Sequence, residues 1–235
     1  MRLWHTLVQL HREIEARPWG AVLLGNVWPA YIFALPLATR ILALPQTLQA
    51  ATSPSLNDRA RVLQELVTIL FLALVVLLFA IRRRGVRGRR ATWREGVVAL
   101  VATFLLSVVG YLPIAAGAST ARLLASSAVV VVGTFFTMRS LLVLGRCFGL
   151  LPEVRGLVTR GPYRWVRHPV YLGELISGLG IVIAKPHPLV LAIYAVFLVL
   201  QYLRTIFEER ALAAAFPTEY PVYRARVPRL VPGWR

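Results

Sequence analysis

Long apolar blocks separated by short basic or Gly/Pro-rich segments set the pattern of this chain. Val62 to Ile81 is an almost pure aliphatic run, and Val97 to about Ala116 and Leu123 to Leu144 repeat it on either side of a short Gly/Ser/Thr loop. Each is long enough, as a helix, for the roughly 30 Å hydrocarbon core of a bilayer. A block from Gly20 to about Leu44 has the same reach but holds Pro29 and Pro36, which predict kinks. Residues 45–60 then read as loop. Two more blocks, Pro169 to Ala184 and Leu189 to about Phe207, flank Lys185-Pro186-His187-Pro188, a break that predicts a tight helix hairpin. Before all of these, Leu3, Leu7, Leu10 and Ile14 make one apolar stripe among His, Arg and Glu, so residues 1–18 are expected to form an amphipathic helix on the membrane surface. No apolar core with a small-residue cleavage site precedes Arg12, Glu13 and Glu15, and the N-terminus is expected to stay on the protein. The expected fold class is all-α: a polytopic transmembrane helical bundle of about six spans, or five if the kinked first or the short fifth block stops short of crossing. Residues 19–145 hold its N-terminal transmembrane helices.

Composition changes the picture only in choosing the solvent. With 57% hydrophobic residues and a mean hydropathy of +0.65, the chain reads as an integral membrane protein. A net charge of +17 in a soluble protein would suggest nucleic acid, but here the arginines gather between the apolar blocks, notably Arg82-Arg83-Arg84-Gly85-Val86-Arg87-Gly88-Arg89-Arg90. That is the pattern of cytoplasmic loops beside anionic lipid, so no nucleic-acid partner is expected. The loops after the second and fourth blocks and the tail are arginine-rich, whereas the opposite side holds Arg40, Arg59, Arg61, Arg122 and Lys185. Both termini are therefore expected on the cytoplasmic side. Arginine so outnumbers the single lysine that a GC-rich bacterial source, and hence an inner membrane, is the associated expectation. Cys147 stands alone, which excludes an internal disulfide and leaves no thiol cluster for zinc; no metal is expected.

Titratable groups beside apolar segments are costly unless they serve something. Two stretches stand out, Arg160 to Tyr171 and Arg204 to Glu209, each at the cytoplasmic end of a block, and they read as halves of one site. His168-Pro169 opens the fifth helix with Pro in its first turn, leaving backbone N–H groups that suit an anionic or carboxylate-bearing ligand. Arg204 and Glu208 lie four apart on one helix face, able to pair or to converge on a ligand. Glu174 lies inside the fifth block, where an unpaired carboxylate is expensive, and either lines the same cavity or meets an arginine. Each piece has an ordinary reading: His168 as a cap, Tyr163, Trp165 and Tyr171 as an aromatic belt, Gly173 and Gly178 as packing contacts, Arg204 and Glu208 as an interfacial ion pair, and Arg139 as a side chain reaching for the interface. Taken singly, those readings are the better ones.

The combination outweighs them. Gly161-Pro162-Tyr163-Arg164-Trp165-Val166-Arg167-His168-Pro169-Val170-Tyr171-Leu172-Gly173, then Arg204 with Glu208-Glu209, then Phe216-Pro217-Thr218-Glu219-Tyr220 and Tyr223-Arg224-Ala225-Arg226-Val227-Pro228-Arg229, resembles the membrane methyltransferases of the isoprenylcysteine carboxyl methyltransferase and phospholipid methyltransferase group. The resemblance covers about residues 140–232, and it marks 146–235 as the methyltransferase-like catalytic region. It implies S-adenosylmethionine as methyl donor, held at the cytoplasmic ends of the last helices, and a lipid or lipophilic acceptor arriving from the bilayer. Carried over by position, it implies that Arg155, Gly156, Leu157, Val158, Tyr163, His168, Pro169, Val170 and Tyr171 hold the cofactor with Glu208 and Glu209. Arg204 and Glu208 would be catalytic, with Arg204 and Glu174 toward the acceptor. The acidic run of the family is here reduced to Glu208-Glu209, and the loop from Phe148 to Val158 is shorter than in the prenylcysteine enzymes, which bears on the acceptor more than on the donor.

The chemistry suits these residues. Methyl transfer from a sulfonium is an in-line displacement from an activated donor, so the protein mainly positions two molecules and excludes water. Arg204 can orient a carboxylate bidentately; for a phosphate-amine headgroup it takes the phosphate while Glu208 or Glu209 accepts the amine proton. Alternatives are a phospholipid N-methyltransferase or small-thiol S-methyltransferase, an NADPH-dependent membrane reductase of the sterol reductase type, and a non-catalytic membrane scaffold or transporter. No Gly-x-Gly-x-x-Gly follows a strand, so the soluble Rossmann architecture is not expected.

Overall fold

The computed structural model describes residues 26–50, 55–83, 91–110, 112 and 119–233. The expected surface helix of residues 1–18 lies outside these, as do the start of the first block, residues 84–90 of the basic run and most of the loop after the third block. The described residues form helices α1 (Trp28–Ala50), α2 (Leu56–Ile81), α3 (Trp93–Gly110), α4 (Thr120–Leu144), α5 (Pro169–Ala184), α6 (Pro188–Ala215) and α7 (Glu219–Arg226), with single 3-10 turns at Gly145–Cys147 and Gly161–Arg164. No strand occurs among them.

Four of these helices, α1, α2, α4 and α6, are long and apolar enough to cross a membrane; α5 is a shorter apolar helix and α3 has 18 residues. Their outer faces keep large apolar side chains exposed, among them Leu42, Leu77, Val132 and Val199, as lipid-facing surfaces do. Three boundaries differ from the sequence expectation. α1 and α2 extend over most of residues 45–60, because neither Pro45 inside α1 nor the polar Asn57-Asp58-Arg59 start of α2 interrupts helical backbone. Pro29 is the second residue of α1, and Pro36 and Pro45 are the prolines inside it. α6 continues beyond Phe207 to Ala215, so Arg204, Glu208 and Glu209 all project from regular helix.

Two packing arrangements place the C-terminal helices. α1 and α2 meet through Phe33, Leu72, Val75, Leu78 and Phe79, and Phe79 takes Phe148 edge-on at 4.9 Å between ring centroids. α4 and α5 pack most extensively, and they do so through small residues. A Cβ on Gly173 would stand 2.2 Å from Thr137 Oγ1 and 2.8 Å from Gly133 O, and one on Gly133 would stand 2.5 Å from Ser177 N. Ser126 Oγ donates to Gly180 O at 2.7 Å across the same seam. Such a stripe lets two helices approach where lipid competes for every apolar contact. Gly173→Leu is therefore expected to force α4 and α5 apart and destabilise the protein by about 1–3 kcal/mol or more; thermal unfolding in detergent would show the loss, and an unchanged midpoint would contradict this packing.

The turns fix the ends. Gly145 ends α4 at φ 53°, a conformation that favours glycine. Arg83 N donates to Arg146 O, and Arg155 Nε to Arg83 O, so the segment after α2 is stitched to the loop after α4. Arg82 lies half-buried over the Phe79 ring; burial, with the neighbouring Arg155 charge, lowers its pKa to about 10. At the opposite end, Lys185 donates to the carbonyls of Val109 and Leu112, closing the end of α3, and His187 caps α6.

Candidate active site

A cavity of about 1000 Å³ runs through the bundle. On α2 it is lined at Asn57, Ala60, Arg61, Gln64, Thr68, Phe71, Leu72 and Val75, a single helix face. From Asn57 to Val75 that face extends roughly 27 Å at about 1.5 Å per residue. The other end of the cavity is closed by Phe148 to Val158, by the start of α5 and by the end of α6.

Arg155, Gly156, Leu157, Val158, Tyr163, His168, Val170, Tyr171, Glu174, Arg204 and Glu208 all line this one space. Pro169 and Glu209 do not. Pro169 is buried at the first position of α5, where a fixed φ and an absent N–H suit the helix start. Glu209 turns the other way. Its carboxylate receives Arg229 through Nε at 3.0 Å and Nη2 at 2.9 Å, with Arg167 Nη1 at 3.3 Å and His168 Nε2 at 3.2 Å. The tail follows this clamp, since Arg167 N and His168 N donate to Pro228 O and Arg229 O.

Arg204, buried on α6, lies over the Tyr171 ring with its guanidinium carbon 4.6 Å from the centroid. Its Nη1 donates to Gln201 Oε1 at 3.2 Å and, weakly, to Thr103 Oγ1 at 3.5 Å, and its Nη2 to Leu150 O at 3.4 Å. Gln201 turns its amide N–H to Glu174, so one amide joins the buried carboxylate to the buried guanidinium. Glu174 therefore both lines the cavity and is held, through Gln201, near the arginine. Glu208 receives the Tyr171 hydroxyl and lies 3.6 Å from His168 Nδ1; its side chain is 28% exposed against 5% for Glu209, which identifies it as the carboxylate open to the cavity.

His168 stacks on Tyr171 at 5.7 Å and lies between the two glutamates. Burial disfavours its charged form, but hydrogen bonds and charge from Glu208 and Glu209 outweigh burial and raise its pKa above 6.5. A raised histidine contributes stability that is complete below the unfolded value and lost as pH rises through the folded one. The unfolding midpoint is expected to fall with rising pH above about 6.5 by more in the wild type than in His168→Gln; parallel profiles would contradict an imidazolium between these carboxylates. Tyr163 is buried under the loop, and burial raises its pKa well above 10; its backbone carbonyl receives the Tyr223 hydroxyl at 2.7 Å.

Four polar groups of the site carry no role in the sequence reading. Gln201, fully buried, was visible as an amide within an apolar block, one turn before Arg204. Thr103 looks like any helix threonine. Arg167 and Arg229 are hidden among the arginines of a basic loop and tail, and only the structure separates them by their shared carboxylate. Arg167 also lines the cavity with its Nε and Nη1 buried and without a hydrogen bond, as is the Tyr220 hydroxyl beside it. Arg139 does not line this cavity.

A bundle with four helices of membrane-crossing length and a long internal cavity, closed at one end by converging charged side chains, is a polytopic membrane protein. Residues 118–219 match the phospholipid methyltransferase family model. The match begins at the start of α4, earlier than the motifs themselves. Among curated proteins the chain is similar to protein-S-isoprenylcysteine O-methyltransferases B and A of Arabidopsis thaliana, each 31% identical over 109 residues, 44% of this chain and 55% of theirs. It is also similar to the cobalt-zinc-cadmium resistance protein CzcN of Cupriavidus metallidurans, 40% identical over 77 residues, 32% of this chain and 35% of that protein. The chain spans about half the length, or less, of these relatives.

Proposed function

We propose that the protein transfers a methyl group from S-adenosylmethionine to a lipid or lipophilic acceptor that lies in the long cavity, in the manner of the isoprenylcysteine carboxyl methyltransferases. The observation that carries this reading is the convergence, in one space, of an open carboxylate, a buried arginine and a 27 Å face of α2, with the first two inside the family match.

The residues fit the donor. Glu208, the more open of the two carboxylates, would meet an α-ammonium group, and the buried Nε of Arg167, which has no hydrogen bond, offers a donor for a carboxylate. The cofactor, when bound, supplies a methyl group already activated on a positive sulfur. Arg155, Gly156, Leu157 and Val158 would wall the cofactor side, and a side chain at Gly156 would collide with Cys147 Sγ at 2.8 Å, which keeps that wall close. Tyr163, His168, Val170 and Tyr171 complete it, with Pro169 and Glu209 acting from behind: Pro169 sets the start of α5, and Glu209 holds Arg167, His168 and the tail.

Arg204 would orient the acceptor. Its contacts to Thr103 and Leu150 are long and weak, so an anionic oxygen can replace them while Gln201 and the Tyr171 face keep the guanidinium in place. Glu174 would lie on the acceptor side, bound through Gln201. The apolar walls exclude water from the displacement. A phospholipid headgroup is the second acceptor, favoured by the matched family model; there Arg204 takes the phosphate and Glu208 the amine proton. Orientation follows the arginine-rich loops, with this end of the cavity on the cytoplasmic side.

Labelled-methyl transfer from the donor into panels of prenylated thiols, carboxylates and phosphatidylethanolamine tests the assignment. Incorporation into one class by the wild type, absent in Arg204→Ala, is expected. No incorporation into any class by protein that binds the donor would overturn the acceptor half of the proposal.

A further inference from the structure

Arg139 takes no part in the lining of the cavity. Arg139 projects from α4 roughly 7 Å before the helix end at about 1.5 Å per residue, exposed, and it makes no hydrogen bond or ion pair among the described residues. It lies in a separate surface groove of about 250 Å³ formed by Phe136 and Arg139 of α4 with Gly161, Pro162, Arg164 and Trp165 of the turn above. Arg164 is also exposed and likewise makes no hydrogen bond or ion pair among the described residues, and Trp165 is 64% exposed. Two unpaired guanidiniums thus flank one groove, at the depth where a tryptophan meets lipid headgroups. Below the groove, Val132 and Phe135 are exposed on the same face of α4 as Arg139, seven and four residues before it.

We propose that this groove is a binding site for an anionic phospholipid, distinct from the methyl-acceptor cavity. The phosphate lies between Arg139 and Arg164, Trp165 and Phe136 hold the glycerol region, and an acyl chain follows Val132 and Phe135 down the helix. The arrangement supplies both things such a lipid needs. An unpaired arginine on a membrane helix is expensive, and a phosphate at interfacial depth neutralises it with charge-assisted hydrogen bonds. The apolar stripe supplies the chain contact that a soluble phosphate cannot use. The proposal does not rest on the methyl-transfer reading.

The site also touches the catalytic end. Pro162 and Tyr163 are buried beneath the groove, and Tyr163 lines the large cavity on its other side. A lipid seated on Arg164 and Trp165 therefore braces the segment that carries Tyr163.

The test compares thermal unfolding of the detergent-purified protein in mixed micelles with dioleoyl phosphatidylglycerol or dioleoyl phosphatidylcholine. Phosphatidylglycerol is expected to raise the midpoint more than phosphatidylcholine, and Arg139→Gln/Arg164→Gln is expected to lose more than half of that difference while melting as the wild type does without added lipid. Glycerol 3-phosphate, which lacks chains, is expected to give no shift. Equal effects of the two lipids, more than half of the difference surviving in the double variant, or a full shift with glycerol 3-phosphate would each overturn the proposal. If the double variant does not fold, counting phosphatidylglycerol retained by Arg139→Gln in native mass spectrometry decides it: one lipid fewer than wild type is expected, and an equal count is the contrary result.

Discussion

Arg204→Ala is expected to lower methyl transfer by roughly two to three orders of magnitude while binding of S-adenosylhomocysteine changes only a few fold. In the proposed arrangement the guanidinium over Tyr171 orients the acceptor, so its loss would remove that group while Glu208, proposed to hold the donor, stays in place. It also leaves Gln201 with an unfilled acceptor oxygen in a buried setting, a modest structural penalty. Arg204→Lys separates the two effects. Lysine restores the charge without the planar fork, so it should recover stability and little of the rate. Wild-type turnover by a folded Arg204→Ala variant would remove Arg204 from the chemistry.

The second large effect is expected at Glu208. Glu208→Gln keeps the shape and can still accept the Tyr171 hydroxyl, yet it removes the charge that faces the cavity. Loss of one charge-assisted contact of about 1.5–3 kcal/mol weakens S-adenosylhomocysteine binding by roughly ten- to a hundredfold. Glu209→Gln should behave differently. Its partners are Arg229, Arg167 and His168, so it should lower the unfolding midpoint and loosen the tail, with binding affected only through that loosening. Calorimetry and thermal unfolding on both variants check the division, and equal binding losses in the two would contradict it.

Adjacent glutamates with opposite duties illustrate what the sequence could and could not convey. Glu208 and Glu209 are indistinguishable as letters in a short acidic pair. They point about 100° apart on a helix, and the continuation of α6 to Ala215, hidden by polar composition after Phe207, is what makes that angle matter. The helical class, the hairpin at Lys185 to Pro188 and the start of α5 at Pro169 were legible because apolar blocks and prolines mark them locally. The extended start of α2 was not, since a polar first turn looks like loop until a helix beneath it is known.

Within the site, legibility followed residue chemistry. Charged groups beside apolar blocks announced themselves, and Arg204, Glu208, His168 and Glu174 do face or flank one cavity. Gln201 links Glu174 to Arg204 by tertiary hydrogen bonds, and no spacing rule foretells which carboxylate an amide will meet. Arg167 differs from its neighbouring arginines in its pairing with Glu209 and in a buried Nε left without a hydrogen bond. The small residues facing each other across α4 and α5 were half visible: Gly173 suggested a packing contact, while its partner Thr137 did not.

Calorimetric titration of the detergent-purified protein with S-adenosylhomocysteine, with NADPH as control, addresses donor use most directly. Saturable binding of S-adenosylhomocysteine, weakened in Glu208→Gln and absent for NADPH, is the result expected of a methyltransferase built on this cavity. Binding of NADPH alone, or of neither ligand by folded protein, would contradict it.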